Sequence, residues 1–222
     1  MIGLTLQTKH PNARYYVIEG PDGTGKSTQA KMLADHFRAH LGDDRVLLTS
    51  QPWYEGYRGG WIKQYLRGQF PIPLSPGQVF DLYVENRRDH LKRFVIPALE
   101  AGKVVVQDRS YYSTFAYQGS QDVPLDQIVE AHRDMQRPDM VFIMKTSLDV
   151  SQERLRQRHV QTGHAPETFE SRPEQEQIAK LFDTVSQHFP DDPIYFVDAV
   201  DSPEEVHGLL KQMTQSDLET LL

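Results

Sequence analysis

Gly20-Pro21-Asp22-Gly23-Thr24-Gly25-Lys26-Ser27 is the stretch whose residue types and spacing most directly imply chemistry. Glycines let successive backbone N–H groups turn inward around a phosphate, and a helix leaving the loop adds its positive dipole end. A lysine at that helix start reaches the outer phosphates of a nucleoside triphosphate such as ATP, and the next hydroxyl suits Mg2+. Lys26 and Ser27 take those two places, with Gly20, Asp22, Gly23, Thr24, Gly25 and Thr28 framing the cradle. The apolar run 15–18 before the loop reads as a strand, and a helical pattern follows it. A chance glycine-rich turn is the competing reading, and these two flanks argue against it.

A second candidate anion site lies at Gln107-Asp108-Arg109-Ser110, where the apolar run 104–106 ends. Ligands of open α/β sheets sit beyond the carboxyl ends of the strands, so Asp108 and Arg109 are expected to face the same crevice as the glycine loop. Arginine grips a phosphate dianion with two parallel hydrogen bonds. Asp108 then either holds Mg2+ through water or orients Arg109. The bland alternative is an Asp–Arg pair that merely closes a strand end.

These residues need a scaffold. Five near-continuous apolar runs, at 15–18, 45–49, 104–106, 140–144 and 194–197, read as buried parallel strands. Stretches of helical length lie between them, at 31–41 and 78–99 for example. Ser75-Pro76-Gly77-Gln78 and Ser202-Pro203-Glu204-Glu205 each show a serine cap, a proline at the first helical position and Gln or Glu three residues after the cap. The alternation predicts an α/β protein, a three-layer α/β/α sandwich with a five-stranded parallel sheet, and the glycine loop with a second anion site makes it of the P-loop NTPase, nucleotide-kinase type. Residues 1–222 are expected to form one domain. The polar segment 159–168 reads as a loop, and the residues after Lys211 are assigned to no element.

Composition narrows the partners. The 222 residues carry 24 Lys and Arg against 31 Asp and Glu, a net charge of −7, which disfavours non-specific nucleic-acid binding. With no cysteine, disulfides, thiolate nucleophiles and Cys-based metal sites are excluded. No apolar stretch reaches membrane-span length, and residues 1–14 lack the pattern of a secretory leader. A cytoplasmic protein without membrane or nucleic-acid partners is the expectation.

Beyond the loop, the chain resembles the thymidylate kinases. Asp108-Arg109-Ser110-Tyr111-Tyr112-Ser113-Thr114-Phe115-Ala116-Tyr117-Gln118-Gly119 follows the family pattern D-R-Y-x-x-S-T-x-A-Y-Q-G with one departure, at Ser110. The run LYVENRRDH (82–90), Ile96-Pro97-Ala98-Leu99 and Arg137-Pro138-Asp139 extend the likeness over most of the chain. The resemblance implies phosphorylation of dTMP by ATP with Mg2+, in a homodimer, with an acceptor-binding region at about 50–100 and a lid insertion at about 154–172 of each chain. It also implies that Asp22 binds the acceptor 3′-hydroxyl and steadies Arg109, which holds the acceptor phosphate. Tyr83 takes the place of the family's stacking Phe, Arg87 donates to a thymine carbonyl, Thr114 meets the ring N3, and Tyr117 crowds the 2′ position. Ser113 and Gln118 join this substrate set. Ser27 and Asp108 would serve the metal, and Arg158 is the candidate lid cation beside Arg154, Arg156 and Arg172.

Three stretches depart from the family pattern. T-R-E-P-G-G after the second strand is replaced by Thr49-Ser50-Gln51-Pro52-Trp53-Tyr54, which removes an arginine and an acid. Tyr54, Tyr57 and Arg58 are the candidate substitutes for that arginine. Gly23 stands where some members carry an arginine, while 159–168 contains no Lys or Arg. The fourth strand ends in Met144-Lys145-Thr146 where the family has L-D. Two alternatives therefore stay open: a kinase for another deoxynucleotide or a deoxynucleoside, and a nucleotide-binding module that has lost transfer.

Overall fold

The computed structural model describes residues 10–163 and 168–222. Five strands, β1 (Arg14–Glu19), β2 (Val46–Ser50), β3 (Val104–Asp108), β4 (Met140–Lys145) and β5 (Ile194–Asp198), form one parallel sheet in the order β2-β3-β1-β4-β5. Each apolar run of the sequence is therefore a strand. The expectation that all five are buried fails at the two edges. Tyr195 and Phe196 of β5 are 41% and 44% exposed, because an edge strand has one neighbour and thinner cover. In β1 and β3 the middle residues are shut off from water on both faces, as a covered parallel sheet requires.

Nine α-helices, a 3-10 turn (Asp43–Arg45) and a π-turn connect and cover the strands among the described residues, the α-helices being α1 (Lys26–Leu41), α2 (Gly59–Leu66), α3 (Pro76–His90), α4 (Ile96–Glu100), α5 (Tyr111–Gly119), α6 (Leu125–His132), α7 (Leu148–Thr162), α8 (Arg172–His188) and α9 (Pro203–Leu221). The π-turn Leu91–Val95 joins α3 to α4, so the single helix expected over 78–99 is three consecutive helical pieces. Tyr15, Val17, Val105 and Ile143 pack on one sheet face with residues of α5 and α8, such as Phe115, Ile178 and Phe182. Tyr16, Ile18, Val106 and Phe142 pack on the other with Leu33 and Phe37 of α1 and Leu210 of α9. Core side chains alternate between faces along each strand, which is why both faces need helices.

Ser75 and Ser202 make the expected capping boxes, and Ser171 makes a third at the start of α8. The unassigned C-terminal stretch continues α9 to Leu221, with Leu218 and Leu221 against the core. The loop expected at 159–168 begins later than its polarity suggests. Helix α7 runs to Thr162 and stops at Gly163, whose φ of 68° places it in the left-handed region and lets its N–H bond to the His159 carbonyl at 2.9 Å. Residues 164–167 of that segment, and 1–9 of the amino-terminal stretch, lie outside the described residues.

Candidate active site

At the carboxyl end of β1 the chain turns through the glycine loop into α1. Two glycines are forced by space. Gly20 has φ 135° and a Cβ there would lie 2.4 Å from the Met144 carbonyl oxygen, while Gly23 has φ 79° and its Cβ would lie 2.4 Å from the Ser151 carbonyl oxygen of α7. At these two positions the loop lies directly on β4 and α7 with no room for a side chain. Pro21 O accepts from Thr24 Oγ1 at 2.9 Å and from Lys26 Nζ at 2.6 Å. Burial, then the charge of Arg109, depresses the Lys26 ammonium to about 8.

Across the cleft, β3 delivers Arg109 in the left-handed region at φ 67°, an uncommon conformation for a non-glycine residue. Its N–H bonds to Ile18 O at 2.9 Å and its carbonyl accepts from Gln107 Nε2 at 2.7 Å, so the ends of β1 and of β3 itself hold the turn. The guanidinium points at the loop. It pairs with the Asp22 carboxylate and donates to Ser113 Oγ at 3.1 Å and Tyr117 Oη at 3.3 Å. Tyr117 Oη donates in turn to Asp22 Oδ2 at 2.8 Å. Burial alone would raise the Asp22 carboxyl, but Arg109 and Lys26 outweigh it and hold it at about 2.

Beneath this pair, Glu19 is fully buried and accepts from the Ser110 and Ser113 N–H groups and the Ser113 hydroxyl. It fixes the start of α5. That helix presents Thr114, Tyr117 and Gln118 to the cleft, where Tyr83 and Arg87 from α3 meet them. The cleft encloses about 220 Å³ and runs from Ser27 and Asp22 to Gln51 and Tyr54. Gln118 keeps a buried Nε2 with no protein partner among the described residues.

Ser27 Oγ donates to Asp108 Oδ2 at 2.5 Å, and Asp108 Oδ1 is buried without a partner among the described residues. A hydroxyl beside a carboxylate with one orphaned oxygen is a donor set that fits a hard divalent cation.

Of the arginine run on α7, Arg158 alone lines the cleft. Its Nη2 donates to Glu170 Oε1 at 2.5 Å. Arg154 donates to the Ala199 carbonyl, and Arg156 pairs with Glu153 on the exposed surface. Residues alternating along a helix cannot share one face. Arg172 pairs with Asp149, away from the cleft. Among the three candidate substitutes after β2, Tyr54 lines the cleft, whereas Arg58 pairs with Glu85 and stacks on the Tyr57 and Trp61 rings.

Gln175 belongs to no sequence motif. It is fully buried at the start of α8, accepts from the Asp22 N–H at 3.1 Å, and donates to the Phe169 carbonyl at 2.6 Å. Phe169, at φ 81°, lays its ring edge-to-face on Tyr117 at the cleft wall. A glutamine inside a helical pattern carries no signal of this kind; only its place directly after the capping-box glutamate, Glu174, could have suggested it.

A glycine loop on a parallel strand, facing an arginine on the next strand end across a nucleotide-sized cleft, defines a P-loop nucleotide kinase fold. The family profile described as thymidylate kinase matches residues 18–210. A probable thymidylate kinase of Thermococcus kodakarensis is 30% identical over 214 residues, spanning 94% of this chain and 98% of that protein. The thymidylate kinase of Xanthomonas campestris pv. campestris (strain B100) is 32% identical over 172 residues, spanning 78% of this chain and 71% of that one. The crystal structure of thymidylate kinase from Ehrlichia chaffeensis shares the fold with a TM-score of 0.71 at 21% identity, over 92% of this chain and all of that one. The chain belongs to the thymidylate kinase family.

Proposed function

We propose that the cleft carries out ATP-dependent phosphorylation of dTMP to dTDP by in-line transfer of the γ-phosphoryl group. The observation that carries this reading is the Arg109 guanidinium turned onto Asp22 of the glycine loop, with a base-sized space lined by Tyr83, Arg87 and Thr114 beside it. Lys26 and the loop N–H groups would hold the donor phosphates. Arg109 would grip the acceptor phosphate, and Asp22 would keep Arg109 aimed and accept from the acceptor 3′-hydroxyl. Tyr83 offers its ring face to the base, since Tyr stacks through the same π-surface as Phe. Arg158, which donates to Glu170, would meet charge developing on the transferring group. Transfer of this kind involves no covalent enzyme intermediate, so positioning and charge carry the acceleration.

Ser27 and Asp108 would hold Mg2+, which when bound neutralises phosphate charge. No helix among the described residues is long and apolar enough to cross a membrane. Nucleotides are the ligands in this reading, and a cytoplasmic homodimer is proposed with it.

The test is ADP release from ATP-Mg2+ with dTMP, dUMP, dCMP, UMP and thymidine offered separately. Release with dTMP far above the rest is expected. A preference for thymidine, or no release with any acceptor despite ATP binding, refutes the reading. Sugar selectivity gives a finer test. Tyr117→Phe is expected to keep discrimination against ribothymidine monophosphate, because ring bulk remains, whereas Tyr117→Ala relaxes it by roughly tenfold. The ratio of kcat/KM for the two acceptors checks this.

A further inference from the structure

Arg87 sits at the floor of the acceptor end of the cleft, held by partners none of which is a carboxylate. Its Nε donates to Gln51 Oε1 at 2.7 Å, Nη1 donates to Thr114 Oγ1 at 2.8 Å and His132 Nε2 at 2.9 Å, and Nη2 donates to the Ser110 carbonyl at 3.0 Å. Arg87 and His132 are each 3% exposed and Gln51 is 4% exposed. The second Nη2–H has no partner among the described residues.

His132 ends α6 and does not line the cleft, so it can reach an acceptor only through Arg87. Its Nδ1 lies 2.6 Å from the Ile128 carbonyl, which can only accept, so the ring proton belongs on Nδ1 and the Nε2 lone pair faces the guanidinium. Tyr111 stacks on the imidazole at 5.6 Å and Phe80 meets it edge-on at 6.3 Å, fixing its plane. Burial, then the Arg87 charge, pulls the imidazole pKa well below its ordinary value, which keeps Nε2 an acceptor. On the far side, Gln51 is held by His90, whose Nδ1 lies 3.0 Å from Gln51 Nε2 and whose Nε2 lies 2.7 Å from Thr49 Oγ1.

We propose that His132 is a positioning residue for the acceptor base: with Gln51 it aims Arg87 through uncharged acceptors, leaving the guanidinium charge available to a pyrimidine carbonyl. A carboxylate in either place would pin the guanidinium equally well but cancel its charge. A neutral frame keeps the bond to the base charge-assisted, which makes it roughly twice as strong as a neutral one. The inference deepens the dTMP reading and rests on it.

A double-mutant cycle tests it, with His132→Leu, Arg87→Met and the pair assayed for dTMP and ATP kinetics. His132→Leu is expected to raise KM for dTMP about tenfold, with smaller changes in kcat and in KM for ATP. On the Arg87→Met background the same replacement is expected to add little, since its effect passes through the guanidinium. His132→Gln, which offers an amide oxygen to Arg87 and an amide N–H to Ile128, is expected to restore most of the loss. Thermal unfolding of each variant separates folding from binding. If His132→Leu does not fold, Gln51→Met removes the acceptor at the other end of the guanidinium and carries the same expectation. Unchanged KM for dTMP, equal rises for dTMP and ATP, or additivity with Arg87→Met overturns the proposal. A wild-type enzyme idle with dTMP refutes the activity instead, so the two failures are distinguishable.

Discussion

Replacing Lys26 by methionine is expected to cut dTMP phosphorylation by about a thousandfold or more, the scale of removing a preorganised charge at a transferring group. The same change is expected to raise the melting temperature of the protein measured without nucleotide at pH 7. Both effects come from one feature: an ammonium only 5% exposed, anchored on Pro21 O and 3.9 Å from Asp22. Burial and Arg109 depress the ammonium to about 8 against 10.5 for a free lysine, so the folded state releases its proton first. Unfolded chains bind more protons between those values, and stability therefore rises with pH across that window. The cost of the buried charge is complete below pH 8 and fades toward pH 10.5. The methionine variant gains most at neutral pH and nothing at the alkaline end. Calorimetric melts of both proteins from pH 7 to 10 check the sign, and a methionine variant that melts lower at pH 7 contradicts it.

Arg109→Ala is the second large effect. Turnover with dTMP is expected to fall by two to three powers of ten, about 3–4 kcal/mol, because the acceptor phosphate loses its bidentate partner. Stability is expected to fall as well, by about 3 kcal/mol, since the change strands Asp22 as a partly buried carboxylate without its closest cation. Asp22 should then titrate well above its present value near 2, lifted by the same burial that Arg109 now offsets. Arg109→Ala, Asp22→Asn should therefore be more stable than Arg109→Ala alone, though no more active. Urea unfolding and steady-state kinetics on the two variants separate these outcomes. Near-normal rate in Arg109→Ala removes the acceptor site from this cleft.

The scaffold was largely legible because its signals are local. Continuous apolar runs mark covered parallel strands, and Ser-Pro-x-Gln and Ser-Pro-x-Glu mark helix starts at Ser75 and Ser202. Exposure of β5 was not legible, since an edge strand differs from a central one only in its neighbours. The end of α7 is hidden for a different reason: His159, Gln161 and Thr162 are polar, but polarity does not break a helix that has a glycine cap waiting at Gly163. Within the cleft, the loop and the Asp108–Gly119 stretch named their residues through spacing. Gln175, Glu19 and His132 act by contacts made across 80 residues or more, or by the direction of a single lone pair, and no spacing rule reports those.

The seating of α7 on the glycine loop restricts where a transition-state cation can originate. With the Ser151 carbonyl where a Cβ of residue 23 would have to go, an arginine grafted at Gly23 has no room unless the whole helix backs away. That helix also carries Arg158, so retreat would withdraw one charge in the act of admitting the other. An arginine at Gly23 and the proposed Arg158 cation therefore compete for the same close packing of α7 on the loop.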